Sequence, residues 1–207
     1  MTLQKLMDAA LIRFAEQGFD ATSVARLAED VGIHKSTLYS HFKSKEDLFM
    51  KVLVRVLDEE VEYVRDFFKQ SSDSLERLGA FLPDVGDRFS NTPHMRFWLR
   101  FFFLPPFSLQ EQVMAAVNRH MSQMETEVRH ACEKLPPSRL SKAVVCEAYL
   151  GILDWSRAEL LYEGVEKFRK RLKALWSMFL ISLEPPRSGK SLNDKRCSSP
   201  SRPERRT

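Results

Sequence analysis

Cysteine is scarce in this 207-residue chain: Cys132, Cys146 and Cys197 are the only three, and no two share a CxxC spacing. An odd, unpaired set excludes a CxxC zinc site and argues against a disulfide framework, so a reducing cytoplasm is the expected compartment. Long apolar runs are missing too. The longest, Phe101 to Phe107, falls far short of the roughly 20 residues that span a bilayer, so no membrane partner is expected. The N-terminus, Met-Thr-Leu-Gln-Lys with Asp8 close behind, lacks the pattern of a signal peptide. Glycine occurs only seven times and the apolar–polar alternation of strands is absent, which leaves helices. There is no Walker loop, GxGxxG, GxSxG or HExxH, so neither catalytic residues nor a metal or cofactor is expected, and the chain does not read as an enzyme. His120 is a lone histidine without ligand partners at metal spacing, and Asp58-Glu59-Glu60 reads as a solvated helix face.

Positive charge is present but localised. The net charge of +4 conceals a tail, residues 185–207, with seven Lys/Arg against two Asp/Glu; residues 1–184 then hold 25 basic and 26 acidic side chains, a net −1. The high pI therefore belongs to the tail, whose Ser, Pro, Arg and Lys composition predicts disorder. Within the body one window stands out. From Val31 to Lys45 there is no acid, while Lys35, Lys43, Lys45, His34 and His41 all fall inside it.

Apolar spacing predicts about nine helices. Leu3, Leu6, Met7, Ala10, Leu11, Phe14 and Ala15 lie on one face of the first, and Gly18 ends it as a left-handed cap. Thr22 or Ser23 caps a second, buried through Val24, Leu27, Ala28 and Val31, and Gly32 breaks it. A third runs from about His34 to Phe42. Ser44 with Asp47 opens a long fourth, to about Phe68, through a capping-box-like arrangement. After the Ser71-Ser72-Asp73 loop, Pro83 predicts a kink or break in the fifth. Pro93 and Pro105-Pro106 bound a very apolar segment. Three long helices follow, from Ser108 to about Leu135, from about Ser138 to Tyr162, and from the Gly164 turn to Pro185-Pro186.

Two short helices joined at a glycine make a helix-turn-helix pattern. The second exposes Lys35, Ser36, Thr37, Tyr39, Ser40 and His41. Each donates hydrogen bonds or carries a cation and none is acidic, which suits a DNA major groove and its flanking phosphates. Lys45 sits at a helix start, where free N–H groups and the helix dipole favour a phosphate.

The stretches Ala9-Ala10-Leu11-Ile12-Arg13-Phe14-Ala15-Glu16-Gln17-Gly18-Phe19-Asp20-Ala21-Thr22-Ser23-Val24 and Ile33-His34-Lys35-Ser36-Thr37-Leu38-Tyr39-Ser40-His41-Phe42-Lys43-Ser44-Lys45-Glu46-Asp47-Leu48 resemble the TetR family of bacterial transcription regulators. The likeness covers roughly residues 3–53. It implies an all-α fold with a helix-turn-helix DNA-binding domain over 1–48, a helical ligand-binding and dimerisation domain over 49–184, and the basic tail over 185–207. It further implies a homodimer that grips a pseudo-palindromic double-stranded operator as a repressor and releases it when a small-molecule effector binds. Lys35, Ser36 and Thr37 would approach base edges. Tyr39, His41, Lys45 and the Thr22/Ser23 helix start would meet phosphates. Position 34 is often Ser in the family and is His34 here; position 36 is often Gly and is Ser36 here, so the operator cannot be transferred from relatives.

For the effector, Phe97, Trp98, Arg100, Phe101, Met114, Met121 and Trp155 are expected to line an apolar or amphipathic pocket. Arg96 and Arg100 are one turn apart and could meet an anionic group. Leu150, Leu153, Leu161, Leu172, Trp176 and Phe179 are expected at the dimer interface, and Asp154 with Arg157 reads as an intrahelical or intersubunit pair. The alternative reading is a helical small-molecule-binding or protein-interaction module that keeps the helix-turn-helix only as a structural feature.

Overall fold

The computed structural model describes residues 2–70 and 73–185. Ser71, Ser72, Cys197 and the tail beyond Pro185 lie outside the described residues, and so does the expectation of a disordered basic tail. Among the described residues all regular structure is helical: α1 (Thr2–Gln17), α2 (Val24–Val31), α3 (Lys35–His41), α4 (Lys45–Lys69), α5 (Ser74–Asn91), α6 (Pro93–Phe103), a 3-10 turn (Phe107–Leu109), α7 (Gln110–Glu133), α8 (Lys142–Tyr162) and α9 (Val165–Ser182). None of these helices is long and apolar enough to cross a membrane.

The helix ends follow local chemistry. At α4, Ser44 Oγ accepts from the Asp47 N–H at 3.2 Å, while the Asp47 carboxylate accepts from the Lys43 N–H at 2.9 Å. The reciprocal bond of the capping box is thus made one residue early. That backbone donor holds the Asp47 carboxyl below its ordinary range. Asp73 accepts from the N–H groups of Leu75 and Glu76 to open α5. Thr92 caps α6, with Pro93 at the first helical position. At α2, Ser23 occupies the N-cap without a side-chain cap bond, and Thr22 instead turns its hydroxyl back to the Gly18 carbonyl at 2.7 Å. Gly32 ends α2 at φ 71°, and the N–H groups of Gly32 and Ile33 cap the carbonyls of Glu29 and Ala28. Only glycine adopts that left-handed turn at no steric cost.

In α5 the expected break is absent. Pro83 neither breaks nor ends the helix, which continues to Asn91. The Pro83 ring lies on the exposed face, while Leu78, Phe81, Leu82 and Val85 on both sides of it are buried. Their burial outweighs the helix penalty of about 3 kcal/mol that an interior proline carries.

A single core runs from Leu6, Ala10 and Phe14 of α1, along α4, to Phe168 and Phe179 of α9. Its front end is an aromatic hub. Phe49 of α4 meets Phe14 (5.3 Å), Phe19 (5.1 Å) and Phe101 (4.8 Å), and Phe97 packs on Phe101 at 4.8 Å. Rings from α1, α4 and α6 thereby join the first three helices to the bundle.

Candidate nucleic-acid interface

The seven-residue α3 is too short to be stable alone, so packing must hold it. Leu38 and Phe42 are fully buried and anchor its inner side. His34, Lys35, Ser36, Tyr39, Ser40, His41 and Lys43 are exposed around the rest of it; Thr37 is half-buried. Lys35 Nζ lies 5.7 Å from the Tyr39 ring centre, and Ser40 Oγ donates to the Thr37 carbonyl at 2.7 Å. The nearest acid before this face, Asp30, is taken up by a two-point bond from Arg13, both contacts at 2.7 Å. That bond holds the Asp30 carboxyl below its ordinary range and ties α2 to α1. Donors and cations thus project together from a braced scaffold with no free carboxylate between Val31 and Lys45.

Two of the expected phosphate contacts are placed differently. Thr22 is buried, with its hydroxyl on Gly18 O, so its side chain does not reach the surface, whereas Ser23 is exposed. Lys45 turns its ammonium inward onto the carbonyls of Phe19 (3.0 Å), Thr22 (3.4 Å) and Asp20 (3.5 Å), 4.3 Å from the Phe19 ring centre. It clamps the α1–α2 loop against the start of α4. The charge count at this helix start was legible in sequence; the three carbonyls that claim the charge were not.

The expected pocket residues do not gather around one cavity. Phe97 and Phe101 are buried in the aromatic hub, and Trp98 is buried beneath Arg157, whose guanidinium carbon is 4.9 Å from its ring centre. Arg100 donates to the carbonyls of Ala15 (3.3 Å) and Glu16 (3.4 Å), satisfying the C-terminal end of α1. A Cβ at Gly18 would sit 2.8 Å from Arg100 Nη2, so the glycine makes room for this contact. Arg96 likewise bonds backbone, at Phe89 O and Ser90 O. Met114 is half-buried on α7. Only Met121 borders an internal void, of about 10 Å³, with Val64, Phe81, Met124, Glu125, Val128, Leu150, Leu153 and Arg157. Trp155 faces outward, in a shallow groove with Ala148, Gly151, Ile152, Arg171, Ala174 and Leu175.

The expected interface residues divide by burial. Leu150, Leu153, Leu172 and Phe179 are buried inside the protomer, Trp176 stacks on Phe179 at 5.2 Å, and Leu161 is half-buried. The apolar residues of these helices that face out include the groove above with Val144, Tyr162, Met178, Leu180 and Ile181. α8 carries apolar residues around most of its circumference, so its periodicity alone could not say which side turns inward.

In the run Asp58-Glu59-Glu60, Asp58 and Glu59 are exposed, as a solvated face requires, but Glu60 is not. Glu60 is buried and paired with Arg88, whose guanidinium also lies 3.7 Å from the Tyr63 ring centre. Asp58 bonds His120 Nε2 at 2.8 Å, and Glu59 bonds His94 Nδ1 at 3.2 Å. The Tyr63 hydroxyl donates to Asp84 at 2.8 Å, and burial pushes both the Tyr63 and Asp84 pKa values up. Among the described residues no group of three or more His, Cys, Asp and Glu could hold a metal ion.

Residues 6–52 match the sequence profile described as bacterial regulatory proteins, tetR family. The transcriptional repressor KstR2 of Mycobacterium tuberculosis is 38% identical over 79 residues, which is 38% of this chain and 40% of that protein. The match thus spans well under half the length of that relative. Two solved structures share the fold. A TetR-family transcriptional regulator from Agrobacterium tumefaciens has a TM-score of 0.69 at 17% identity, over 86% of this chain and 96% of that one. FadR from Bacillus subtilis, in complex with stearoyl-CoA, has a TM-score of 0.62 at 16% identity, over 84% and 97%. Residues 6–52 thus carry a helix-turn-helix segment similar to that of the tetR family of bacterial regulatory proteins, and the described helices share the fold of these solved structures.

Proposed function

We propose that this chain is a dimeric, effector-responsive DNA-binding transcriptional regulator, a repressor, and not an enzyme. One observation carries the reading: a short helix, fixed from beneath by Leu38 and Phe42, presents Lys35, Ser36, Tyr39, Ser40 and His41 with no carboxylate among them. Lys35, Ser36 and Thr37 read base edges; Ser23, His34, Tyr39, Ser40 and His41 meet phosphates or the groove wall. Residues 1–48 form the DNA-binding head and 49–184 the effector and dimer body, although α4 runs through that boundary as one helix.

The operator is pseudo-palindromic because a two-fold dimer presents two recognition helices, set about one DNA turn (~34 Å) apart. The dimer forms through the outward faces of α8 and α9, around Ile152, Trp155, Leu175, Met178 and Ile181. An apolar or amphipathic effector is supported by the apolar wall between α4, α5, α7 and α8 and by the stearoyl-CoA held by a protein of the same fold. The path to DNA is physical. α6 touches α1 through Arg100 and the Phe97–Phe14 contact, so a shift of α6 tilts the head and changes the spacing of the two recognition helices.

The test is selection of bound fragments from a random DNA pool, with Lys35→Ala/Tyr39→Ala alongside. An enriched pseudo-palindrome that the double variant does not recover is the expected result. No enrichment at low salt, where phosphate contacts are strongest, overturns the reading.

A further inference from the structure

Arg157 lies on α8 with 2% of its surface exposed, and its guanidinium is underused. Nη1 bonds Asp154 at 3.0 Å, one turn back on the same helix, and Nε has no hydrogen-bond partner. Burial lowers its pKa even so. Beneath it, the Trp98 indole N–H is buried without an acceptor. Next to Arg157 along α8, the Ser156 hydroxyl is buried and makes no bond, although Ser90, Ser122, Thr126 and Ser177 all donate to the carbonyl four residues back. Buried donors in folded proteins are paired as a rule, and a buried guanidinium above all.

The setting says what would pair it. Arg157 borders the small internal void, whose other walls include Val64, Phe81, Met121, Met124 and Leu153. Two methionines make that wall adaptable, because an unbranched thioether changes rotamer cheaply. Three acids are near, and two have cations of their own: Glu60 is held by Arg88, and Glu125 by Arg129 at 3.5 Å. Asp154 alone serves Arg157, and its side chain is 55% exposed. An entering anion can therefore take the guanidinium while Asp154 rotates into water, so no second buried negative charge accumulates.

We propose that Arg157 is the head-group anchor of the effector, and that the effector is an amphipathic carboxylate: an anionic end on Arg157 and an apolar body that opens the void by displacing Met121 and Met124. This rests on the reading of the chain as effector-responsive, and its test needs no DNA, so the two fail separately.

The test is calorimetric titration of the full chain with octanoate and with 1-octanol, which share a body and differ in the head. Octanoate is expected to bind about tenfold more tightly or better, the worth of one charge-assisted hydrogen bond. In Arg157→Met, which keeps the volume, that preference collapses to about one while octanol still binds. In Asp154→Asn the competing carboxylate is gone, and octanoate tightens; this exposed position keeps the test open if Arg157→Met does not fold. Equal binding of the two heads, binding of neither, a preference kept in Arg157→Met, or weaker octanoate binding in Asp154→Asn each overturns the proposal. Loss of operator selection with the head-group preference intact would instead remove the DNA-binding reading and leave the site.

Discussion

Around α2 and α3 the charged groups stay at the surface or are tied off by local bonds: Arg13 holds Asp30, and Lys45 is wrapped by three carbonyls. In the bundle the opposite holds. Glu60, His120, Arg157 and Glu159 are buried, and Arg88 nearly so, each leaning on one or two partners from a neighbouring turn or helix. The head therefore has one arrangement that satisfies it. The body has several polar groups whose satisfaction depends on where α4, α5, α7 and α8 sit. The proposed regulator would use this division: a reading head of fixed shape, and a body whose balance a small molecule can tip.

The sharpest way to break that comparison is to unpair one charge in each half. Arg88→Met leaves Glu60 buried with only the His94 ring, at 3.8 Å, for a partner. Removing one member of a buried ion pair costs about 3–5 kcal/mol. Arg13→Met strips Asp30 of its partner where both side chains reach solvent, and a much smaller loss is expected. Urea denaturation of both variants measures the difference. Equal losses would mean that the head is held by ion pairs as much as the body is.

DNA affinity reverses the ranking of the two halves. Lys35→Ala/Tyr39→Ala should lower operator affinity by about 100-fold, from two lost contacts of the kind that read bases and phosphates. Its unfolding midpoint should stay in place, because both side chains are exposed. A matching drop in stability would show that these side chains hold the head together and do not read DNA.

Lys45 separates a clamp from a contact. If its ammonium serves the loop carbonyls, Lys45→Ala frees the α1–α2 loop and lowers stability by about 1 kcal/mol, the typical worth of a net hydrogen bond. The slope of log affinity against log salt then stays unchanged. A phosphate contact would do the reverse, reducing that slope by about one and sparing stability.

What the residues disclosed follows the same division. The head was legible almost to the residue: Gly18, Gly32, Ser44 and Asp47 end or begin helices where their backbone chemistry requires it, and Leu38 and Phe42 face inward as their spacing demands. The body was legible in its helices but not in their rotation. Leu150 and Ile152 both sit on α8, yet one is buried and the other borders the outer groove, because a helix with apolar residues all round carries no phase signal. Long-range polar contacts were equally hidden. Arg100 to Ala15 spans 85 residues and Glu60 to Arg88 spans 28, and no spacing rule reaches across such distances.

The smallest expected effect concerns pH. His94 sits between Glu59 and Glu60, with Arg88 and Arg55 nearby; burial lowers its pKa from the ordinary value although both carboxylates act to raise it. The folded chain thus holds this ring neutral where the unfolded chain, titrating near 6.5, already takes up a proton. The neutral ring's contribution is complete above about pH 6.5 and is lost as pH falls towards the folded value. Asp84 works against this at lower pH. Burial raises its pKa, so the folded state takes up that proton more readily and acidification through that range favours folding. The midpoint of unfolding should therefore fall between about pH 6.5 and 5 in the parent, and fall less in His94→Gln, which keeps a hydrogen-bonding side chain but has no proton to gain. An identical decline in the variant would assign the acid sensitivity to other groups. It would also remove His94 from the polar cluster that makes the body adjustable.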